Sequence, residues 1–120
     1  MKLVYEQSAF SEDLAKLRQW CAIKGYMVTL GEAWRPDEMQ ELYLKQGKTK
    51  TLHSNHCRRL AIDLNFFLND TLITSKADLQ EIGDYWESLS PENRWLGNAY
   101  KWFPNSTFID CPHFERHVIL

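Results

Sequence analysis

Nine residues, Leu60 to Leu68, constrain the fold more than any other part of this 120-residue chain. Leu60, Ile62, Leu64, Phe66 and Leu68 alternate there with Ala61, Asp63, Asn65 and Phe67. A period of two predicts a β-strand with one wholly apolar face. Such a face must be covered by another layer, and helical spacing elsewhere supplies it. Phe10, Leu14, Leu17 and Cys21 share one face of a helix expected from Ser8 or Ser11 to Lys24, with Gly25 as its stop. A second helix is expected to begin at Pro36, a favoured first helical position, with Asp37 and Glu38 in its first turn. Met39, Leu42 and Tyr43 form its apolar stripe, and Gly47 ends it. A third is expected from Ser75, with Asp78 three residues on as an acidic near-match to a capping box. Leu79, Ile82, Trp86 and Leu89 line its buried side, and Pro91 follows its end.

Two more strands are expected, at Tyr26 to Leu30 and at His113 to Ile119. The latter carries Phe114 and Val118 on one face and His113, Glu115 and His117 on the other. Helices and strands mix without regular βαβ alternation. The expected fold class is therefore α+β, a small, mainly antiparallel sheet with helices packed on it. The length fits one domain, residues 1–120.

Composition narrows the function. A hydrophobic content of 44% and an aromatic content of 13% suffice for a packed core. The net charge of −2 provides no global field to attract nucleic acid or an anionic membrane. Locally, no acidic residue lies between Leu42 and Ile62, where Lys45, Lys48, Lys50, Arg58 and Arg59 occur. That stretch is either a solvated loop or a rim that attracts carboxylates. Cys21, Cys57 and Cys111 are odd in number and lack C-x-x-C spacing, which fits a reducing compartment. The first residues lack the apolar run of a signal peptide, and no stretch approaches the ~20 apolar residues of a membrane span. The expectation is a monomer made in the cytoplasm, without nucleic-acid partners or membrane insertion.

Asp63 is the chemical anomaly, because aspartate is depleted in strands. Taken alone it reads as exposed on an open sheet face, with cation binding as the alternative. His56 precedes it by seven residues, which would span about 23 Å if extended. Sharing one ion would thus require the chain to fold back between Cys57 and Leu60. Further on, Asp110-Cys111-Pro112-His113 brings a carboxylate close to an imidazole. A catalytic zinc needs three N or O ligands and one open position. His56, Asp63 and His113 are candidates for the three, which leaves Asp110 for a base. Each spacing also fits a structural histidine.

Together these residues resemble a known family. The pattern S-x-H-x-x-G-x-A-x-D, followed later by D-x-x-H or E-x-x-H, marks the zinc D-alanyl-D-alanine carboxypeptidases, the D,D-dipeptidases and the phage L-alanyl-D-glutamate endolysins. These share a fold with the hedgehog amino-terminal signalling domain. Ser54, His56, Ala61 and Asp63 are in register here, and Asp110 and His113 follow. Trp34-Arg35-Pro36 with Gln40, and Gly47-Lys48-Thr49-Lys50-Thr51, resemble the family's arginine–glutamine helix and glycine–lysine turn. The family glycine is Arg59 in this chain.

The resemblance implies a zinc ion held by His56, Asp63 and His113, with Asp110 as general base. It implies Arg35 as the group that stabilises the developing oxyanion. Ser54 would orient a ligand or the substrate backbone, and Glu115 would hold a ligand imidazole through its second nitrogen. His117 is either an outer partner or a polar surface residue. Trp95, Trp102 and Phe103 either wall the cleft or pack in the core, and Cys57 and Cys111 pack. The implied substrate is the stem peptide of peptidoglycan, at the L-alanyl-D-glutamate bond, reached after release from the cytoplasm. Three rivals are a D-alanyl-D-alanine carboxypeptidase or dipeptidase, a non-catalytic zinc protein of a virion or cell-wall-binding kind, and a cysteine nucleophile at Cys57 or Cys111.

Overall fold

A computed structural model describes residues 2–48 and 54–119. Thr49, Lys50 and Thr51 of the glycine–lysine turn lie outside the described residues. The elements are, in order, α1 (Lys2–Ile23), β1 (Met27–Leu30), α2 (Asp37–Lys45), β2 (Ala61–Leu68), β3 (Thr71–Ile73), α3 (Lys76–Ser88), β4 (Asn93–Trp95), a 3-10 helix (Leu96–Lys101) and β5 (His113–Arg116).

The alternating segment is the hub of the sheet. β1, β3 and β5 all pair antiparallel with β2, and β4 pairs antiparallel with β5. Ile62, Leu64 and Phe66 are buried on one face, against Phe10, Leu17 and Cys21 of α1 and Leu79, Ile82 and Trp86 of α3. Completely burying a side chain of this size contributes about 1.5–3 kcal/mol, so this face alone commits the α+β architecture.

The local signals act as their chemistry requires. Gly25 stops α1 with a φ of +90°. Ser75 caps α3 by accepting a hydrogen bond from the Asp78 N–H at 3.1 Å. Some boundaries differ from expectation. α1 starts at Lys2, six residues before Ser8, and Leu3 packs against the core. Pro36 is the N-cap with extended backbone, and α2 begins at Asp37. β5 ends at Arg116 instead of Ile119. β3 and β4, of three residues each, lack enough alternation to announce themselves.

Trp95 is fully buried. A Cβ built on Gly83 or Gly97 would fall 2.0 or 2.1 Å from its indole, so both glycines are needed for space. The indole Nε1–H donates to the Cys111 carbonyl at 2.7 Å. Asp110 N–H donates to the Leu96 carbonyl at 3.1 Å. Trp95 is thus a core residue that pins the segment leading into β5. Trp102 is half-buried and Phe103 exposed.

Candidate metal centre

The opposite face of β2 carries Asp63, and register places it directly across from His113 on β5. Ala61 faces Glu115 in the same way. On the other edge of β2, Gly31 N–H donates to the Asp63 carbonyl at 2.7 Å, and Asp63 N–H donates to the Glu32 carbonyl at 2.8 Å. A Cβ on Gly31 would sit 3.1 Å from Asp63 Cβ, so its bare backbone allows this close approach.

His56 arrives by the required fold-back. The segment from Asn55 closes with a Leu60 N–H bond to the Asn55 carbonyl at 2.9 Å and an Arg59 N–H bond to the His56 carbonyl at 3.3 Å. These are the paired bonds of a Schellman motif, whose hinge residue is left-handed and usually glycine. Arg59 occupies that position with a φ of +58°. The bend that the family glycine suggests is therefore retained, and the arginine carries the strain. Its guanidinium lies over the Trp34 ring, 4.8 Å from the centroid.

The three side chains converge. One ligand atom from each of His56, Asp63 and His113 falls within 4.8 Å of the others. His56 Nε2 is 3.1 Å from His113 Nδ1. Asp63 Oδ1 is 3.4 Å from the former and 3.5 Å from the latter. The far side of each ring fixes what these atoms are. His56 Nδ1 lies 2.9 Å from the Ala33 carbonyl, and His113 Nε2 lies 2.7 Å from Glu115 Oε1. A neutral imidazole has one N–H, and each ring spends it on that outer acceptor. The inner nitrogens are then bare lone pairs facing each other. Asp63 Oδ1 is buried and has no hydrogen-bond partner among the described residues.

Three acceptors pointing at one another are repulsive unless a positive charge joins them. A proton can serve. Burial pulls the His113 imidazole down, but Asp63 and Glu115 outweigh it and raise its pKa to about 9. Burial likewise pushes the Asp63 carboxyl up, and the two imidazoles more than offset this, holding it well below the carboxylate range. A divalent metal serves as well. Zinc bonds of ~2.0–2.1 Å at a tetrahedral ion place neighbouring ligand atoms about 3.3–3.5 Å apart, close to the separations seen. The donor set and its spacing therefore fit zinc.

The surroundings are also ordered. Glu115 is buried, and its other oxygen lies 3.8 Å from His117 Nδ1. His117 itself is not among the converging ligands. Asp110 is half-buried at the entrance to β5, and burial raises its carboxyl pKa against the pull of His113. Arg35 donates from Nε to Glu32 Oε1 at 2.5 Å and from Nη1 to Gln40 Oε1 at 2.6 Å and Ser54 Oγ at 3.5 Å. Tyr43 donates its hydroxyl to Glu32 Oε2 at 3.1 Å and lies under the Arg35 guanidinium. Ser54 Oγ also accepts the His56 N–H at 3.2 Å, so it links the arginine to the ligand loop. Cys57 and Cys111 are half-buried, and burial raises both thiols above their usual pKa, which leaves no activated thiolate. Glu32 and the Ala33 carbonyl escape sequence reasoning. The first is an ordinary glutamate in a loop, and the second is a backbone atom with no side-chain signature.

The fold is a small α+β domain, and the open face of its sheet carries a His–Asp–His group that could hold a metal ion. No protein-family model matches the chain, and no curated protein sequence matches it. Among solved structures, it is similar to the crystal structure of the Serratia marcescens L-Ala D-Glu endopeptidase ChiX, at 19% sequence identity and a TM-score of 0.66. The match covers 88% of this chain and 79% of that one. The two chains share a fold.

Proposed function

We propose that this chain is a zinc metallopeptidase that hydrolyses an amide bond in the peptidoglycan stem peptide, the L-alanyl-D-glutamate bond by preference. One observation carries the reading: two bare imidazole nitrogens and an unpartnered buried carboxylate oxygen meet at tetrahedral-edge separations. The shared fold with an L-Ala D-Glu endopeptidase supports the choice of substrate. His56, Asp63 and His113 hold the metal. When bound, zinc supplies a Lewis acid and brings the pKa of water toward ~7.

The remaining steps fall to the chain itself. Asp110 takes a proton from the attacking water and returns it to the leaving amine. Burial raises its carboxyl above the ordinary carboxylate pKa, which makes it the better proton acceptor. Arg35, clamped by Glu32 and Gln40, presents a fixed positive charge to the oxyanion, a contribution typically worth about 3 kcal/mol. Glu115 keeps His113 in the tautomer that points Nδ1 inward. The whole chain acts as one catalytic domain and as a monomer, made in the cytoplasm and released to the wall.

The test is metal content before and after chelation, read beside the masses of fragments from digested peptidoglycan. Zinc-dependent release of L-alanine termini supports the reading. Release of free D-alanine with the L-alanyl-D-glutamate bond intact replaces it with a carboxypeptidase. Full zinc occupancy with no hydrolysis across the pH range replaces it with a binding protein.

A further inference from the structure

Ala61, Glu115 and Arg94 lie across from one another on β2, β5 and β4, one row along the sheet from Asp63 and His113. Residues two apart on a strand share a face, and the Glu115 carboxylate indeed reaches His113 Nε2 at 2.7 Å. Arg94 therefore stands on the same face as the metal centre, opposite the core. Two residues along a strand cover about 6.8 Å and one strand across about 4.8 Å, so the Cα atoms of Arg94 and His113 are about 8 Å apart. An arginine side chain and one substrate residue together bridge that span.

Arg94 is half-buried, and its guanidinium lies over the Trp102 ring, 4.9 Å from the centroid. Its side chain makes no hydrogen bond or ion pair among the described residues. Glu115, directly across, is already engaged by His113 and Asn55, and its other oxygen lies 3.8 Å from His117 Nδ1. The neighbouring guanidiniums are committed, Arg35 to Glu32 and Gln40, and Arg58 to Asn55 and the Val118 carbonyl. Arg94 is left as a partly desolvated charge without a counter-ion, an arrangement that costs stability until an anion arrives. Burial pulls its pKa down accordingly. Stacking on an indole fixes the guanidinium plane and leaves its N–H edges free for a planar anion.

We propose that Arg94, braced by Trp102, is a carboxylate-binding subsite that recognises a free carboxylate of the substrate peptide next to the bond cleaved. This deepens the peptidase reading and rests on it. The L-alanyl-D-glutamate linkage offers such a group, because the D-glutamate α-carboxylate is attached next to the scissile nitrogen when the chain continues through the side-chain carboxyl. Amidation of that carboxylate removes its charge and one acceptor oxygen while leaving the scissile bond unchanged.

The experiment uses zinc-loaded protein and two synthetic peptides, L-alanyl-γ-D-glutamyl-L-lysinamide, whose one free carboxylate is the α-carboxylate, and its α-carboxamide. Wild type is expected to favour the free acid by about tenfold in kcat/KM, the scale of a charge-assisted hydrogen bond, with the difference carried by KM. Arg94→Gln should bring that ratio near one, and Arg94→Lys should keep part of it. No preference in wild type overturns the subsite. So does an Arg94→Gln chain that slows on both peptides alike with the ratio unchanged, since Arg94 then only balances Glu115. Binding is read separately by calorimetry on zinc-loaded Asp110→Asn protein, where neither peptide should be consumed. The free acid is expected to bind about tenfold more tightly than the carboxamide, and adding Arg94→Gln should erase the difference. Equal binding of the two peptides, or none, overturns the subsite. If zinc-loaded wild type cleaves neither peptide, the peptidase reading fails on its own, and the calorimetric difference still decides the subsite.

Discussion

Replacing Glu115 with glutamine tests the electrostatic logic of the cage more sharply than removing a ligand would. Glu115 Oε1 accepts the His113 Nε2–H at 2.7 Å, and both side chains are buried. Glutamine keeps an acceptor oxygen in the same place but loses the charge. A hydrogen bond to an ionised partner is about twice as strong as a neutral one, a difference of roughly 1–1.5 kcal/mol. That amounts to about tenfold in metal affinity.

The size of the effect depends on pH, and the dependence has a definite sign. Below about pH 9 the metal-free site holds a proton at His113, and zinc must displace it. Glu115 strengthens the hold of His113 on that proton and on zinc alike, so the two effects partly cancel at pH 7. Above pH 9 the proton is gone and the whole loss of zinc affinity is exposed. Competition titrations against a chromophoric chelator at pH 7 and pH 9.5 should show a deficit in Glu115→Gln that widens at the higher pH and reaches about tenfold. Equal affinities at pH 9.5 would mean that the charge of Glu115 adds nothing to the hold of His113 on the ion, and the electrostatic account of the site would fall with it.

Other outcomes follow from the same geometry. In chelator-treated protein, His113 has a folded pKa raised above its ordinary 6.5, so it contributes stability fully present below pH 6.5 and lost as pH rises through about 9. The change is on the order of 3 kcal/mol, about ten degrees in Tm for a chain of this size. A His113→Asn chain that melts with the same pH slope would refute that assignment. Asp110→Asn should abolish hydrolysis while zinc stoichiometry and far-ultraviolet circular dichroism stay at wild-type levels, and loss of zinc on that substitution would make Asp110 a ligand instead. Arg59→Gly should remove about 1–2 kcal/mol of left-handed strain and forfeit about 0.5–1 kcal/mol of stacking on Trp34. Its urea midpoint is expected at or slightly above wild type, and a fall of several tenths molar would contradict the hinge assignment.

The sequence revealed whatever a single periodicity or a single cap could encode. Period-two alternation located β2, and an apolar stripe with Ser75 and Asp78 located α3 to within a residue. The short strands β3 and β4 stayed hidden, since three residues pair only because β2 and β5 are already in place. α1 ran past its expected start because Leu3 finds core contacts that no capping signal announces. Asp63, read alone as an exposed strand residue, turned out to present a buried Oδ1 to two histidines. Strand pairing across β5 and the closed loop at His56 bring them together, and neither is visible at one position.

The site is best understood as a set of acceptors whose donors have been spent elsewhere. Ala33 and Glu115 each consume the one N–H of an imidazole. Glu32 and Gln40 consume much of Arg35, so its charge is fixed in place. The Schellman bend consumes the backbone N–H groups of Arg59 and Leu60. Once those donors are committed, the inward-facing atoms of His56, Asp63 and His113 are left facing one another, in a group that could hold a metal ion. Such a cage costs the metal-free fold something in mutual repulsion, which a proton on His113 relieves near neutrality. Binding zinc then means exchanging that proton for an ion, so affinity should fall with acidification by up to tenfold per pH unit below about 9. A zinc affinity that is flat between pH 6 and pH 8.5 would show that no proton is displaced from His113 over that range, and would refute its raised pKa.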